Sequence, residues 1–197
     1  MWSTRSVNSI TINGQGQVPH SAGAVGEITD FITTPSIDVV IGEAADAYPP
    51  NLTRFTRALI FVKPETLIVF DRLERTIPGT FEYRLHAINE FDVKDPRDIV
   101  TENEDVACHI ALLAPSALEI VQTNEYDPNP DETVDLREWH LTASTPEKEK
   151  DVQFIGVYRA YRAGNAPPTD AVLEKVKGGY VLVVKLRDGV DVGRGGG

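Results

Sequence analysis

Apolar residues along this chain recur mostly at every second position. Ile10 and Ile12 share one face of SITIN, and Ile37, Val39 and Ile41 share one face of SIDVVIGEA. In TFEYRLHAI, Phe81, Tyr83 and Leu85 alternate with Glu82, Arg84 and His86. A period of two belongs to a strand with one buried face. The same pattern runs through FTRALIFVK, ETLIVFDRLE, VACHIALLA, ALEIVQT, LREWHLTAS, DVQFIGVYRAYR and GGYVLVVKLRDG, with Pro, Gly, Asn and Asp bounding the segments. About a dozen strands at this spacing predict an all-β fold, a large antiparallel β-sandwich of jelly-roll-like or supersandwich type. PTDAVLEKV fits a short helix or a strand equally well. No repeat and no long linker divides the chain, so residues 1–192 read as a single β-sandwich domain and 193–197, GRGGG, as a disordered tail.

One hairpin carries a finer prediction. FTRALIFVK and ETLIVFDRLE flank Pro64, so if Lys63 pairs near Thr66, Arg57 lies opposite Asp71 or one step from it. An arginine amid apolar strand residues needs a carboxylate if it is buried, and Asp71 is the expected partner in a structural ion pair.

Composition narrows the function classes. The chain has 197 residues, 41% hydrophobic and 25% charged, which marks a globular protein rather than a disordered one. Its formal net charge is −11, the wrong sign for a nucleic-acid binder, while leaving room for a local basic cleft. The single cysteine, Cys108, forms no internal disulfide and reads as a small core residue. No apolar run is long enough to span a membrane, and MWSTRSVNS does not have the pattern of a signal peptide.

The order SVNSITINGQGQ, GEITDF, VVIGEAADAYPP, RFTRALIFVKPETLIVFDRLE and YRLHAINEF resembles the C-terminal β-sandwich of heparinase II/III-like polysaccharide lyases. The resemblance is strongest over residues 3–90, and DVQFIGVYRAYRAG and GGYVLVVKL fit the later strands. It implies a parent in which an α/α toroid joins this sandwich and cleaves uronic-acid glycans by β-elimination. That chemistry needs a neutralised carboxylate, a base for the proton beside it and an acid for the leaving oxygen, roles suited to His and Tyr. The resemblance also implies a zinc site in the sandwich, with a histidine in a His-Asn-Thr motif. That motif falls on Val7-Asn8-Ser9 here, and valine cannot ligate zinc. With the other ligands and the toroid placed ahead of residue 1, the chain reads as the C-terminal portion of a longer protein that is periplasmic or secreted. No cofactor is expected in the chain as it stands.

Further candidates follow from residue chemistry. Tyr48, Trp139 and Tyr161 could stack on sugar rings, Arg159 could meet a uronate, and His86 lies in a motif the resemblance shares. Tyr158 and Tyr161 fall on opposite faces of one strand, so at most one faces a given cleft. His20 is a second histidine candidate, while His109 and His140 read as sheet residues. Asp127, Asn129, Asp131, Asp135 and Glu138 match the first, third, fifth, ninth and twelfth places of a calcium loop. Glu132 replaces its turn glycine and the flanks read as strands, so a solvated hairpin is the default. The functional expectation is a lyase sandwich that is inert alone and whose partners are an acidic glycan and a toroid. The alternatives are a glycan-binding module and a structural or oligomerisation domain. A cupin-type metal enzyme lacks the clustered His and Glu ligands it requires.

Overall fold

The structure is a computed structural model that describes residues 4–125, 133 and 138–187, together with the backbone of 191–192 and 195–196. It is all-β, and its layers come from three antiparallel sheets. The first holds β1 (Ile10–Ile12), β6 (Phe81–Ala87), β11 (Trp139–Ser144) and β10 (Glu119–Thr123), in that order. The second and largest runs β2 (Glu27–Thr33), β3 (Ile37–Glu43), β4 (Arg54–Val62), β5 (Thr66–Gly79), β12 (Glu149–Arg162), β9 (Val106–Ala114), β8 (Asp98–Asn103) and β7 (Asp92–Asp95). The third is built on β13 (Ala171–Val176) and β14 (Gly179–Lys185), with β15 (Asp191–Val192) and β16 (Gly195–Gly196) both pairing with β14.

The eight-stranded sheet is covered on both faces. Its inner face supplies Phe55, Leu73, Ile110, Leu112, Val152 and Phe154, which pack against Ile10, Ile12, Phe81, Tyr83, Leu85 and Leu141 of the four-stranded sheet. Its outer face supplies Val62, Ile68, Ala111, Leu113, Ile155 and Val157 to a second core closed by Val184 and flanked by Leu173, Tyr180 and Leu182 of the third sheet. A strand buried on both faces reads as a nearly continuous apolar run rather than an alternation. VACHIALLA is that case: the six residues His109 to Ala114 are all buried.

The hairpin prediction holds in detail. Val62 pairs with Thr66, and Arg57 lies directly opposite Asp71. PTDAVLEKV, open between helix and strand from its sequence, contributes β13. The β7–β8 hairpin has no clear periodic signal, because DVKDPRDIVTEN is short, charged and largely solvated, and only Ile99 is fully buried. Among the described residues no helix is long and apolar enough to cross a membrane.

Candidate functional site

The NGQGQ segment is a clamp. Ile12 and Gln15 exchange backbone hydrogen bonds of 2.8 and 2.9 Å around a turn in which Asn13 and Gly14 take φ of +50° and +73°. Gly14 suits that left-handed backbone. Its N–H donates to Glu82 Oε1 at 2.8 Å, and its carbonyl accepts from Arg5 Nε and Nη2 at 2.9 and 2.7 Å. The second glycine serves close approach: a Cβ on Gly16 would lie 2.2 Å from the Thr4 Cβ. The next N–H, of Gln17, donates to Thr4 Oγ1 at 2.8 Å. These contacts hold the segment before β1 against the loop after it.

Between that segment and that loop lies a groove of about 680 Å³, whose walls include Thr4, Ser6, Val7, Gln17, His20 and Ser21. Its lining carries hydroxyls, an amide and the exposed imidazole of His20, and no carboxylate, ammonium or guanidinium. Such a surface exchanges hydrogen bonds with a hydroxyl-rich ligand. It holds one imidazole, that of His20, with no carboxylate or amine beside it as a second acid–base group. Val7 is 53% exposed in this groove and offers no donor atom. Among the described residues no three His, Cys, Asp or Glu side chains lie close enough to hold a metal ion, so these residues do not fit a zinc ion.

Beside the groove, on the outer face of the four-stranded sheet, His86 lies opposite His140 with ring centroids 4.8 Å apart. His86 Nε2 is 2.7 Å from the Arg5 carbonyl, so that nitrogen bears the ring proton and donates. The His86 N–H donates to Asn8 Oδ1 at 2.8 Å. Burial pushes both imidazoles below their ordinary range, against the opposing charge of Glu138. Next to them Arg84 donates to Thr11 Oγ1 at 2.7 Å and to Glu82 Oε2 at 2.8 Å. His86 therefore ties the N-terminal segment to β6.

The five glycan candidates do not converge. Tyr48 is 0% exposed, stacks edge-on against Phe55 at 5.3 Å, and donates to the Ile10 carbonyl at 3.1 Å. Arg159 is 1% exposed, and its Nη2 donates to the Asp170 carbonyl at 3.0 Å, fastening the loop that leads to β13. Neither presents a surface to a sugar. Trp139 packs against the main core, on the face of β11 opposite His86's neighbour His140. Tyr161 is half-buried near Glu102, Cys108 and Asp98. The groove's own Ser6, Gln17 and Ser21 were not singled out in the sequence, since hydroxyl and amide side chains in loops carry no pattern of their own.

Arg57 and Asp71 form the expected ion pair, Nε to Oδ1 at 2.6 Å and Nη2 to Oδ2 at 2.7 Å. Burial works to lower the guanidinium's pKa, but the bidentate carboxylate outweighs it and holds Arg57 above its ordinary value. Cys108 packs against the main core, and burial pushes its thiol up to about 11. Of the calcium-loop positions, Asp127, Asn129, Asp131 and Asp135 lie outside the described residues, and Glu138 lies beside the two histidines.

No protein-family model matches the chain, and no curated protein matches it by sequence. Solved structures do match in fold. The crystal structure of heparan sulfate lyase HepC from Pedobacter heparinus matches with a TM-score of 0.73 at 17% identity, covering 98% of this chain and 30% of that one. Two structures titled heparinase III match with TM-scores of 0.72 and 0.71 at 14% and 15% identity, each covering 95% of this chain and 29% of the other. The chain therefore has the fold of one part of these heparan sulfate lyase structures and spans about 30% of their length.

Proposed function

We propose that this chain is the β-sandwich portion of a heparinase II/III-like polysaccharide lyase, working outside the cytoplasm on uronic-acid glycans. In this reading the sandwich supports a toroid and forms one wall of the glycan cleft with its N-terminal groove, and by itself it does not cleave. The observation that carries the proposal is the fold match over 98% of this chain and only 30% of the lyase. The groove's single imidazole and lack of a metal-ligating set support inertness of the isolated chain. The test is incubation of the chain with heparan sulfate, heparin and alginate while following ultraviolet absorbance of an unsaturated uronate, alongside calorimetric titration of the same glycans. The expected result is no absorbance gain. Steady product formation that is lost in His20→Ala would overturn the inert reading and place chemistry in the groove.

A second reading, a docking or oligomerisation role, is favoured by β2. This edge strand exposes Ile28, Phe31 and Ile32 at 72%, 61% and 52%. An exposed apolar edge invites pairing. Sedimentation velocity is expected to show self-association at high concentration that Phe31→Asp weakens. A strict monomer at all concentrations would count against the edge as a contact between copies.

A further inference from the structure

At the far end of the central sheet from the hairpin turn of Pro64, a second groove of about 400 Å³ is lined by Arg72, Arg75 and Lys150, by the carboxylates Glu74 and Asp151, and by Thr53 and Gln153 among the other residues. Three cations on one groove are notable in a chain whose net charge is −11. The strand register explains why Arg72 stays unpaired. Arg72 sits between Thr56 on β4 and Gln153 on β12, so neither strand offers it a carboxylate. The next row holds Arg54, Glu74 and Asp151, and there Glu74 is taken by Arg54 at 3.1 Å. Asp151 also lines the groove, yet it makes no ion pair with Arg72, Arg75 or Lys150.

The guanidiniums are also set in place. Arg72 Nε and Arg75 Nε and Nη1 are buried and find no hydrogen-bond acceptor among the described residues. Arg75 lies over Gly79 so closely that a Cβ there would fall 2.0 Å from Nη1. Glycine at position 79 is what makes room for the guanidinium. A buried N–H without an acceptor is costly, and a planar guanidinium matches the paired oxygens of an oxyanion.

We propose that this groove binds a sulfate or carboxylate group, held by Arg72 and Arg75 with Lys150 at the rim. The inference stands apart from the lyase reading, because it needs only the unpaired guanidiniums and the groove. Two sources share this chemistry, a free inorganic anion and an anionic group carried on a glycan.

The test is nuclear magnetic resonance titration of the labelled chain with sodium sulfate at ionic strength held constant with sodium chloride, followed at the arginine Nε–H resonances. The same titration is then run with a sulfated disaccharide. Saturable shifts at Arg72 and Arg75 are expected. Arg75→Gln should weaken binding by about tenfold or more, the loss of one charge-assisted contact. Should that variant fail to fold, Lys150→Gln at the exposed rim is expected to weaken binding about two- to threefold, since a rim charge contributes modestly. Tighter binding of the disaccharide than of sulfate supports the site with a glycan-borne group as its ligand. Equal binding supports it with a free anion. Shifts that stay linear in sulfate, or that are unchanged in Arg75→Gln and Lys150→Gln, overturn the proposal. A chain that neither cleaves nor binds sulfate would overturn this inference alone, because the lyase-sandwich reading rests on the fold match.

Discussion

Replacing Arg57 with Ala is expected to cost about 3–5 kcal/mol, the penalty for stranding a buried charge when its partner is removed. For a chain of this size that is a fall in Tm of roughly 6–20 °C. Asp71 is 0% exposed and Arg57 supplies both of its charge-assisted bonds. Arg57 also lies 5.5 Å from the Phe55 ring centroid and donates to the Asn8 carbonyl at 3.3 Å, so it links the inner face of the eight-stranded sheet to the N-terminal segment. Asp71→Ala should cost less, because the Arg57 side chain is 25% exposed and can turn toward water. The double variant Arg57→Met/Asp71→Leu should recover much of the loss, since an apolar pair leaves no charge unpaired. Urea unfolding of the parent and these three variants measures this, and a double variant no more stable than Arg57→Ala would remove the case for a coupled buried pair.

The pH dependence has a definite sign. In Arg57→Ala, burial raises the Asp71 carboxyl with no guanidinium to oppose it. A group whose folded pKa is raised contributes stability below its unfolded pKa, about 3.9, and loses it as pH rises through the folded value. The variant should therefore be most deficient near neutrality and draw closer to the parent in mild acid. A deficit that is constant across that range would mean the carboxyl is not what the substitution strands.

This pair was legible in the sequence because a hairpin is a local object. Pro64 fixes the turn, the period-two pattern fixes the faces, and Arg57 then meets Asp71 by counting. The same logic located most strands. It could not say which faces are covered, because that depends on strands far apart in sequence. Arg159 reads as an exposed cation on alternation alone, but the loop leading to β13 closes over it. Tyr48 lies in a proline-flanked stretch with no periodicity, and β1, from the other end of the fold's first half, supplies the carbonyl that buries its hydroxyl. Of the third sheet only β14 was legible as a strand, and nothing in its pattern showed that it covers the second face of the central sheet.

The grooves were less legible still. The first is bounded by backbone that Gly14 and Gly16 bring together, a close approach that the sequence marks only as two glycines in a polar loop. In the second, Arg72 lies in the DRLERT run, whose two arginines alternate with acidic residues and look self-neutralised. Only the register across β4, β5 and β12 shows that the acidic neighbours in sequence point elsewhere or pair with Arg54.

Phe154→Ala is the second large effect, again about 3–5 kcal/mol, from lost transfer free energy plus the cavity left behind. Phe154 is 0% exposed at the centre of the main core, its ring 5.3 Å from that of Tyr83. Tyr83 in turn shares a 2.5 Å hydroxyl–hydroxyl bond with Tyr158, which lies over Gly156. Removing the Phe154 ring takes away the wall that fixes the Tyr83 tilt, and the pair of buried hydroxyls depends on that tilt. Phe154→Leu keeps most of the volume and should cost about 1.5 kcal/mol or less. The substitution also tests how the layers are joined. Phe154 belongs to the inner core, while its neighbour Ile155 belongs to the outer one, and both ride on β12. A strand shared by two cores should transmit the loss, so Phe154→Ala is expected to melt in one transition at lower temperature, read by calorimetry. Two separated transitions, with only the first displaced, would mean that the third sheet and its core unfold as an independent unit, despite sharing the central strands.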